Sequence, residues 1–425
     1  MKCEAVQQYP NRKDVIVPTT SRVQVSTSPM YRPSIHQVAP VFLAFLVMGF
    51  GDAAGPFVSL ARQQFNLSAF MAQLIAFTGY IMFGILSVPM GVYQDKKGKK
   101  FVLILGLCIM LAGLLIPTVA GFSTFRVFLL TVLLLGAGAT TLQVAGNPLM
   151  RDVSEEGKYS RNLSLAQFVK AIGSLSGPLI PVIAARAFGL SWRIVFPVYS
   201  VAIVVTLLSA ATMDVKGIQA PSHHSATFRS CLALLKNGYV SMMVVAIFLY
   251  VGAEVSVSAN IPLYLQERFS IDIAKTGLLG TGLFYGALTI GRFSGGVVLN
   301  WIKPKTFFIV SCLLSILGLL GLFFPFQSVA VVSFFLVGLG FANLFPLVFS
   351  IAVDSLPEQA NALSGLMVTA IVGAAFLPPL AGLLADATHS MQMAFAVPLL
   401  ATLYITWVAV VNLRNAVAAT PLTSP

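Results

Sequence analysis

Apolar positions run through this chain in long unbroken stretches rather than alternating with polar ones. Twelve such runs stand at about 38–61, 69–93, 101–122, 127–150, 160–183, 192–213, 238–264, 274–298, 306–326, 328–352, 360–384 and 391–413. Each is close to the roughly 20 residues that an apolar helix needs to cross a bilayer. In hydrocarbon every backbone donor and acceptor must be met inside the segment, which makes each run a predicted α-helix. Links as short as Ser123-Thr124-Phe125-Arg126 make sequential helices antiparallel neighbours. The longest polar interval, 214–237, divides the runs into two sets of six.

The expected organisation is therefore a polar tail over 1–37, a six-helix bundle over 38–213, a connecting loop over 214–237, a second bundle over 238–413 and a short tail over 414–425. Two parallel repeats of this kind place a polar site near the bilayer midplane between them. The fold class is all-α membrane, with twelve transmembrane helices in two six-helix bundles.

Composition agrees: 57% of residues are hydrophobic, 9% are charged, and the mean hydropathy is +0.88. Soluble domains and nucleic-acid binders are excluded as whole-chain readings. The net charge of +12 is a topology signal in such a chain. With the N-terminus inside, cytosolic segments hold 18 Lys and Arg against 6 on the other side, while Lys170 and Arg292 lie within runs. Both termini are expected in the cytosol. The tail lacks the apolar core of a signal peptide. The scattered cysteines Cys3, Cys108, Cys231 and Cys312 have no paired spacing, so neither a disulfide framework nor a metal site is expected. No cofactor is implied, because no phosphate loop, dinucleotide fingerprint or nucleophile–base set occurs, and an enzyme is not expected.

Ionisable groups inside a span cost about 2.5–3.5 kcal/mol on lenient scales and mark function. Asp52 is one, set in Gly49-Phe50-Gly51-Asp52-Ala53-Ala54-Gly55-Pro56. Lys170 is another, about ten residues into the fifth run and so roughly 15 Å deep; Gln167, Lys170 and Ser174 share one helical face. A structural salt bridge would explain Lys170 equally, as would a switchable pair with Asp52. Gln143 and Asn147 stand four apart ahead of Pro148, as hydroxyl ligands or as an interhelical clamp. Glu254 shares a stripe with Tyr250 and Ser258, and pairing with Arg292 for packing is as good a reading as ligand contact. Asn260, Asn343 and Tyr285 complete the candidate substrate contacts.

Between the second and third runs stands Gly91-Val92-Tyr93-Gln94-Asp95-Lys96-Lys97-Gly98-Lys99-Lys100, echoed in degraded form by Gly295–Lys305. The first segment resembles the G-x-x-x-D-[RK]-x-G-[RK]-[RK] loop of the major facilitator superfamily. Gly91, Asp95, Lys96, Gly98 and Lys99 are the candidate gating residues, expected to latch the bundles when the inner side is closed.

Further stretches narrow the resemblance. Gly49-Phe50-Gly51-Asp52 is similar to the G-F-x-D of the fucose/glucose-galactose:proton symporter family, and Leu142–Pro148 to its L-E-x-A-x-N-P. Asn162–Gln167 with Ile172-Gly173-Ser174 resembles its N-L-x-Q-x-x-N-x-I-G-S, and Tyr250–Val255, Gly291–Phe293, Phe345–Ser350 and Ala370–Gly373 add to it. The resemblance implies a proton-coupled monosaccharide transporter working by alternating access, with Asp52 as the coupling acid. Two departures stand out: the family's span-four carboxylate is Gln143 here, and its span-five asparagine is Lys170. They leave open a carrier of an anionic sugar or organic acid using Lys170, and a non-transporting sensor. Expected partners are a sugar-like small molecule, a proton or sodium ion and the lipid bilayer. The expected protein is a monomer in a cell membrane, as in a bacterial inner membrane.

Overall fold

The computed structural model describes residues 35–52, 65–66, 69–121, 124–213, 228–271 and 282–418, all within one unit spanning 33–425. The described segments are helical or short connections. In the N-terminal half they are α1 (Ile35–Asp52), α2 (Ala69–Lys97), α3 (Lys99–Ala120), α4 (Phe125–Asp152), α5 (Tyr159–Phe188) and α6 (Val195–Thr212). A six-residue helix, α7 (Phe228–Ala233), lies in the connector. The C-terminal half holds α8 (Gly238–Phe269), α9 (Leu283–Val298), α10 (Pro304–Gly321), α11 (Gln327–Phe341), α12 (Leu344–Ser355), α13 (Ala360–Thr369), α14 (Gly373–Thr388) and α15 (Ala396–Ala418).

Among the described residues eight helical stretches are long and apolar enough to cross a membrane, and Ile35–Gly51 is a shorter apolar helix. The remaining runs fall on α2, α5 and α9. In α5 the series Arg161, Gln167, Lys170, Ser174 dilutes the hydropathy that the bare length would give. Two runs are each divided: the tenth at Ala342-Asn343, between α11 and α12, and the eleventh by a 3-10 turn at Ala370–Val372. Pro346 accounts for the first break, since a proline offers no N–H to the carbonyl four residues earlier.

Helix ends follow local chemistry. Thr124 Oγ1 accepts from Val127 N at the start of α4, and Asn237 Oδ1 from Tyr239 N at the start of α8. Gly98 turns the chain between α2 and α3 at φ 89°, a left-handed conformation that side chains resist.

The packing repeats. In the first half α1 packs on α5, α2 on α4, α3 on α4 and α3 on α6; in the second, α8 packs on α14, α9 on α11, α10 on α11 and α10 on α15. Each pairing has its counterpart six runs later. The α1–α5 crossing is close enough that a Cβ at Gly49 would collide with the Lys170 carbonyl, and one at Gly173 with that of Leu46. Small residues allow this approach, and dispersion at short range then holds helices together in lipid. The outward face is apolar: Leu208, Leu317, Leu383 and Leu400 are more than half exposed.

The halves meet along α2–α13, α5–α9, α4–α13 and α5–α12. Exchanging the repeats carries the first pairing into the second, so the seam has the same two-fold character as the halves.

Candidate functional site

Lys170 lies on α5 with its Nζ 3.2 Å from Gln143 Oε1 of α4, and Ser174 Oγ donates to the Lys170 carbonyl at 3.2 Å. Gln143 is 2% exposed and Gln167, one turn before Lys170, is 3% exposed. Asn147 is fully buried, its backbone carbonyl accepting from Tyr159 Oη at 3.0 Å. Lys170 and Gln143 are therefore brought together, and Asn147 and Gln167 follow about one turn nearer the end that carries the Gly98 turn. Asp52 ends α1 one turn beyond Gly49, whose Cα touches the Lys170 backbone; the Asp52 side chain lies outside the described residues.

In the second half Glu254 Oε2 accepts a short hydrogen bond from Tyr250 Oη, and Glu254 Oε1 stands 3.6 Å from Arg292 Nη2 of α9. Glu254 and Arg292 are only 16% and 14% exposed. The carboxylate is thus shared between a phenol and a guanidinium. Asn260 donates to the Ser256 carbonyl of its own helix at 2.8 Å, and Asn343 Nδ2 to the Gly291 carbonyl at 2.7 Å. Both amides brace backbone here. Asn343 also packs directly against Gly295, so it ties the break in the tenth run to α9. Tyr285 is 39% exposed and meets Phe284 edge-on.

Phe168 of α5 and Phe293 of α9 face each other across the seam with centroids 5.2 Å apart. Lys170 and Arg292 lie within two residues of that contact, which sets the two intramembrane cations at one level on opposite halves.

Toward the end of the bundle that carries the Gly98 turn, side chains link the halves. Gln94 Nε2 donates to the Asn361 carbonyl at 3.0 Å, and Asn361 Nδ2 to Asp95 Oδ1 at 3.0 Å. Arg151 Nε meets Asp354 Oδ1 at 2.9 Å, Arg161 Nη1 meets Asn300 Oδ1 at 3.1 Å, and the hydroxyls of Ser160 and Ser350 are 2.7 Å apart. Gly91 packs against Gly365, where an added Cβ would stand 3.1 Å from the opposing Cα. Of the candidate gating lysines, Lys99 pairs with Asp152 of its own half at 2.6 Å, and Lys96 is exposed. Asp95 is the member of that set that reaches across.

One link has a specific cause. Pro148 lacks the N–H that would meet the Val144 carbonyl, and Ser364 Oγ of α13 donates to that carbonyl at 2.7 Å. The first half exposes an acceptor and the second half fills it. Neither Ser364 nor Asn361 stood out in the sequence, where a serine and an asparagine near a span end carry no distinguishing pattern.

Over the seam at this end sits α7, packed on both α2 and α13, with its own Cys231 fully buried. Burial, and secondarily the nearby Asp95 carboxylate, pushes the Cys231 thiol above its ordinary pKa.

Compared with known proteins, residues 41–371 match the Major Facilitator Superfamily. The chain belongs to that superfamily. A Helicobacter pylori (strain J99) protein provisionally named a glucose/galactose transporter is 27% identical over 390 residues, covering 85% of this chain and 93% of its own. The L-fucose-proton symporter of Escherichia coli K12 is 23% identical over 371 residues, covering 80% and 84%. Among solved structures, the superfamily transporter FucP, crystallised in the outward conformation, superposes with a TM-score of 0.77 at 21% identity, covering 88% of this chain and 98% of its own. The chain is a multi-pass membrane protein of the superfamily fold, and these relatives are transporters rather than enzymes.

Proposed function

We propose that this protein is a secondary transporter of a monosaccharide, working by alternating access and coupled to protons. The observation that carries this is a buried polar layer shared by the two halves, with the seam closed on one side of it. Lys170–Gln143 stands on one half and Tyr250–Glu254–Arg292 on the other, while the Gln94–Asn361–Asp95, Arg151–Asp354 and Ser160–Ser350 links shut the end carrying the basic loops. With twelve spans and cytosolic termini, that shut end is the cytosolic one, and the conformation faces outward. The relatives named for glucose/galactose and L-fucose transport point to a neutral, hydroxyl-rich substrate.

Amide and hydroxyl groups at Gln143, Asn147 and Gln167 suit such a ligand, since each donates and accepts. In this reading Asp52 carries the coupling proton. It pairs with Lys170 in the empty carrier, consistent with the contact between Gly49 and the Lys170 backbone. Protonating Asp52 leaves the Lys170 ammonium to Gln143, which it already touches, and to the substrate. Glu254, Asn260, Asn343 and Tyr285 complete the cavity wall, with Gly91, Asp95, Lys96, Gly98 and Lys99 forming the gating loop. The protein acts as a monomer in a bacterial inner membrane.

A second reading is a carrier of acidic sugars. It is favoured by Lys170 itself, a cation set at depth beside the amide of Gln143 where the related family carries an asparagine. Reconstituted uptake separates the two. Proteoliposomes would be offered D-glucose, D-galactose and L-fucose alongside D-glucuronate and D-galacturonate, with proton and sodium gradients imposed separately. Accumulation of a neutral sugar driven by the proton gradient alone is the expected result. Accumulation of the uronates alone would establish the second reading, and absence of uptake of either class would end both.

A further inference from the structure

The cytosolic side of the polar layer contains buried polar groups that the closed seam leaves unmatched. Ser164 is fully buried and its Oγ has no hydrogen-bond partner among the described residues; the same holds for Gln167 Nε2 and for both polar side-chain atoms of Asn147. Leaving a buried donor or acceptor unmet is unfavourable, and three such residues together demand an account. They are not scattered. Ser160, Ser164 and Gln167 recur at i, i+4 and i+7, which lines one face of α5. That face points into the seam, because Ser160 meets Ser350 of α12. Asn147 stands on α4 with its carbonyl accepting from Tyr159 Oη at the start of α5, and Ser364 of α13 crosses the seam to the Val144 carbonyl one turn away.

Packing alone would put alanine, leucine or valine here, as it does on neighbouring faces: Leu163 and Ala166 of the same helix are fully buried and apolar. Polar side chains buried without partners in one conformation make sense where another conformation supplies the partners.

We propose that Asn147, Ser160, Ser164, Gln167 and Ser350 form an inner station of the transport path. It is buried and shut in the present conformation. When the cytosolic side opens it takes a neutral, hydroxyl-rich solute on its way to the cytosol. The station lies below the Lys170–Gln143 layer and contains no charged side chain, so it holds the solute by neutral hydrogen bonds and releases it readily. This rests on the transporter reading above and extends its site inward: Asn147 and Gln167 are shared with the first position, and Ser160, Ser164 and Ser350 are added to it.

The experiment uses Ser164→Cys in the full chain with Cys3, Cys108 and Cys312 replaced by serine and Cys231 by alanine, reconstituted in proteoliposomes and labelled with a membrane-impermeant methanethiosulfonate. Ala166→Cys, on the opposite face of α5, serves as the control. Asp95→Ala, which removes the partner of Asn361, opens the cytosolic seam. Ser164→Cys should label from the cytosolic face only, roughly tenfold faster with Asp95→Ala, in proportion to the open population. Ala166→Cys should stay unlabelled. Saturating D-glucose, D-galactose or L-fucose, whichever the protein transports, should slow the labelling. Ser160→Cys gives the same readout should Ser164→Cys fail to assemble.

No labelling of either cysteine, in a background where restored Cys231 does label with Asp95→Ala, would overturn the proposal. So would labelling that no hydroxyl-rich solute slows. Failure of the sugar reading is seen separately, as absence of uptake, and does not alter whether Ser164→Cys is reached from the cytosol.

Discussion

Replacing Ser364 by alanine should open the seam at the end that carries the Gly98 turn, and the reason is local enough to be cancelled by a second substitution. Ser364 is fully buried and gives its hydroxyl proton to the Val144 carbonyl across the seam at 2.7 Å. That carbonyl is available because Pro148 cannot bond it within α4. Without the serine hydroxyl, closure buries a carbonyl with no partner, which costs about 1–3 kcal/mol, whereas the open conformation leaves it to water at little cost. At 1.4 kcal/mol per tenfold, the closed-to-open ratio should fall by roughly 5- to 140-fold.

Cys231 reports the change. It is a buried residue of α7, the helix packed on α2 and α13, and both burial and Asp95 hold its thiol protonated above the ordinary range. In the closed state maleimide labelling of Cys231 should be slow at neutral pH and accelerate as pH rises, because only the thiolate reacts. Ser364→Ala, in a background lacking the other three cysteines, should raise the labelling rate at fixed pH. Pro148→Ala restores an N–H to the Val144 carbonyl, so the double variant should label nearly as slowly as Pro148→Ala alone. If Ser364→Ala labels no faster than the parent, or if the two substitutions simply add, the freed carbonyl is not what ties α4 to α13 and the reasoning fails.

Other consequences are accessible to the same preparations. Gly365→Ala would bring a Cβ to 2.9 Å from the Ser87 carbonyl and 3.2 Å from the Gly91 Cα, both backbone atoms that cannot turn aside, so it too should raise Cys231 labelling, by more than tenfold. Arg151→Ala removes an ion pair whose side chains are 32% and 48% exposed; it should change the labelling less than about fivefold and lose even that at high salt. Lys99→Met strands Asp152, whose side chain is 10% exposed, and should lower thermal stability by several degrees, with Asp152→Leu in the same chain restoring most of the loss. Asp52→Asn should abolish gradient-driven accumulation and leave substrate exchange intact; full accumulation would remove Asp52 from the coupling mechanism.

Much of the architecture was legible in the sequence because lipid simplifies the problem. A run that must meet all its backbone hydrogen bonds internally is a helix wherever it is long and apolar, so the run limits and the helix limits agree to a few residues over α3, α4, α6 and α15. The unusual positions of Lys170, Gln143 and Glu254 were legible for the same reason, since a polar group at that depth needs a cause. What each of them touches was legible only in part. Spacing along one helix places Glu254 beside Tyr250 and offers Arg292 as one of two readings for it, and the approach of α9 to α8 brings that pair together. Lys99 and Asp95 are four residues apart in one charged loop, yet the fold sends Lys99 to Asp152 within its own half and Asp95 to Asn361 in the other. Pro148 announces a freed carbonyl, and nothing in the chain says that a serine more than two hundred residues later will reach it. The sequence by itself determined where helices form and which polar groups lie at depth, because both are set by the local exchange of water for lipid. Tertiary structure alone decided which polar group meets which across the seam, because those partners are brought together by the docking of two repeats whose surfaces no local pattern encodes.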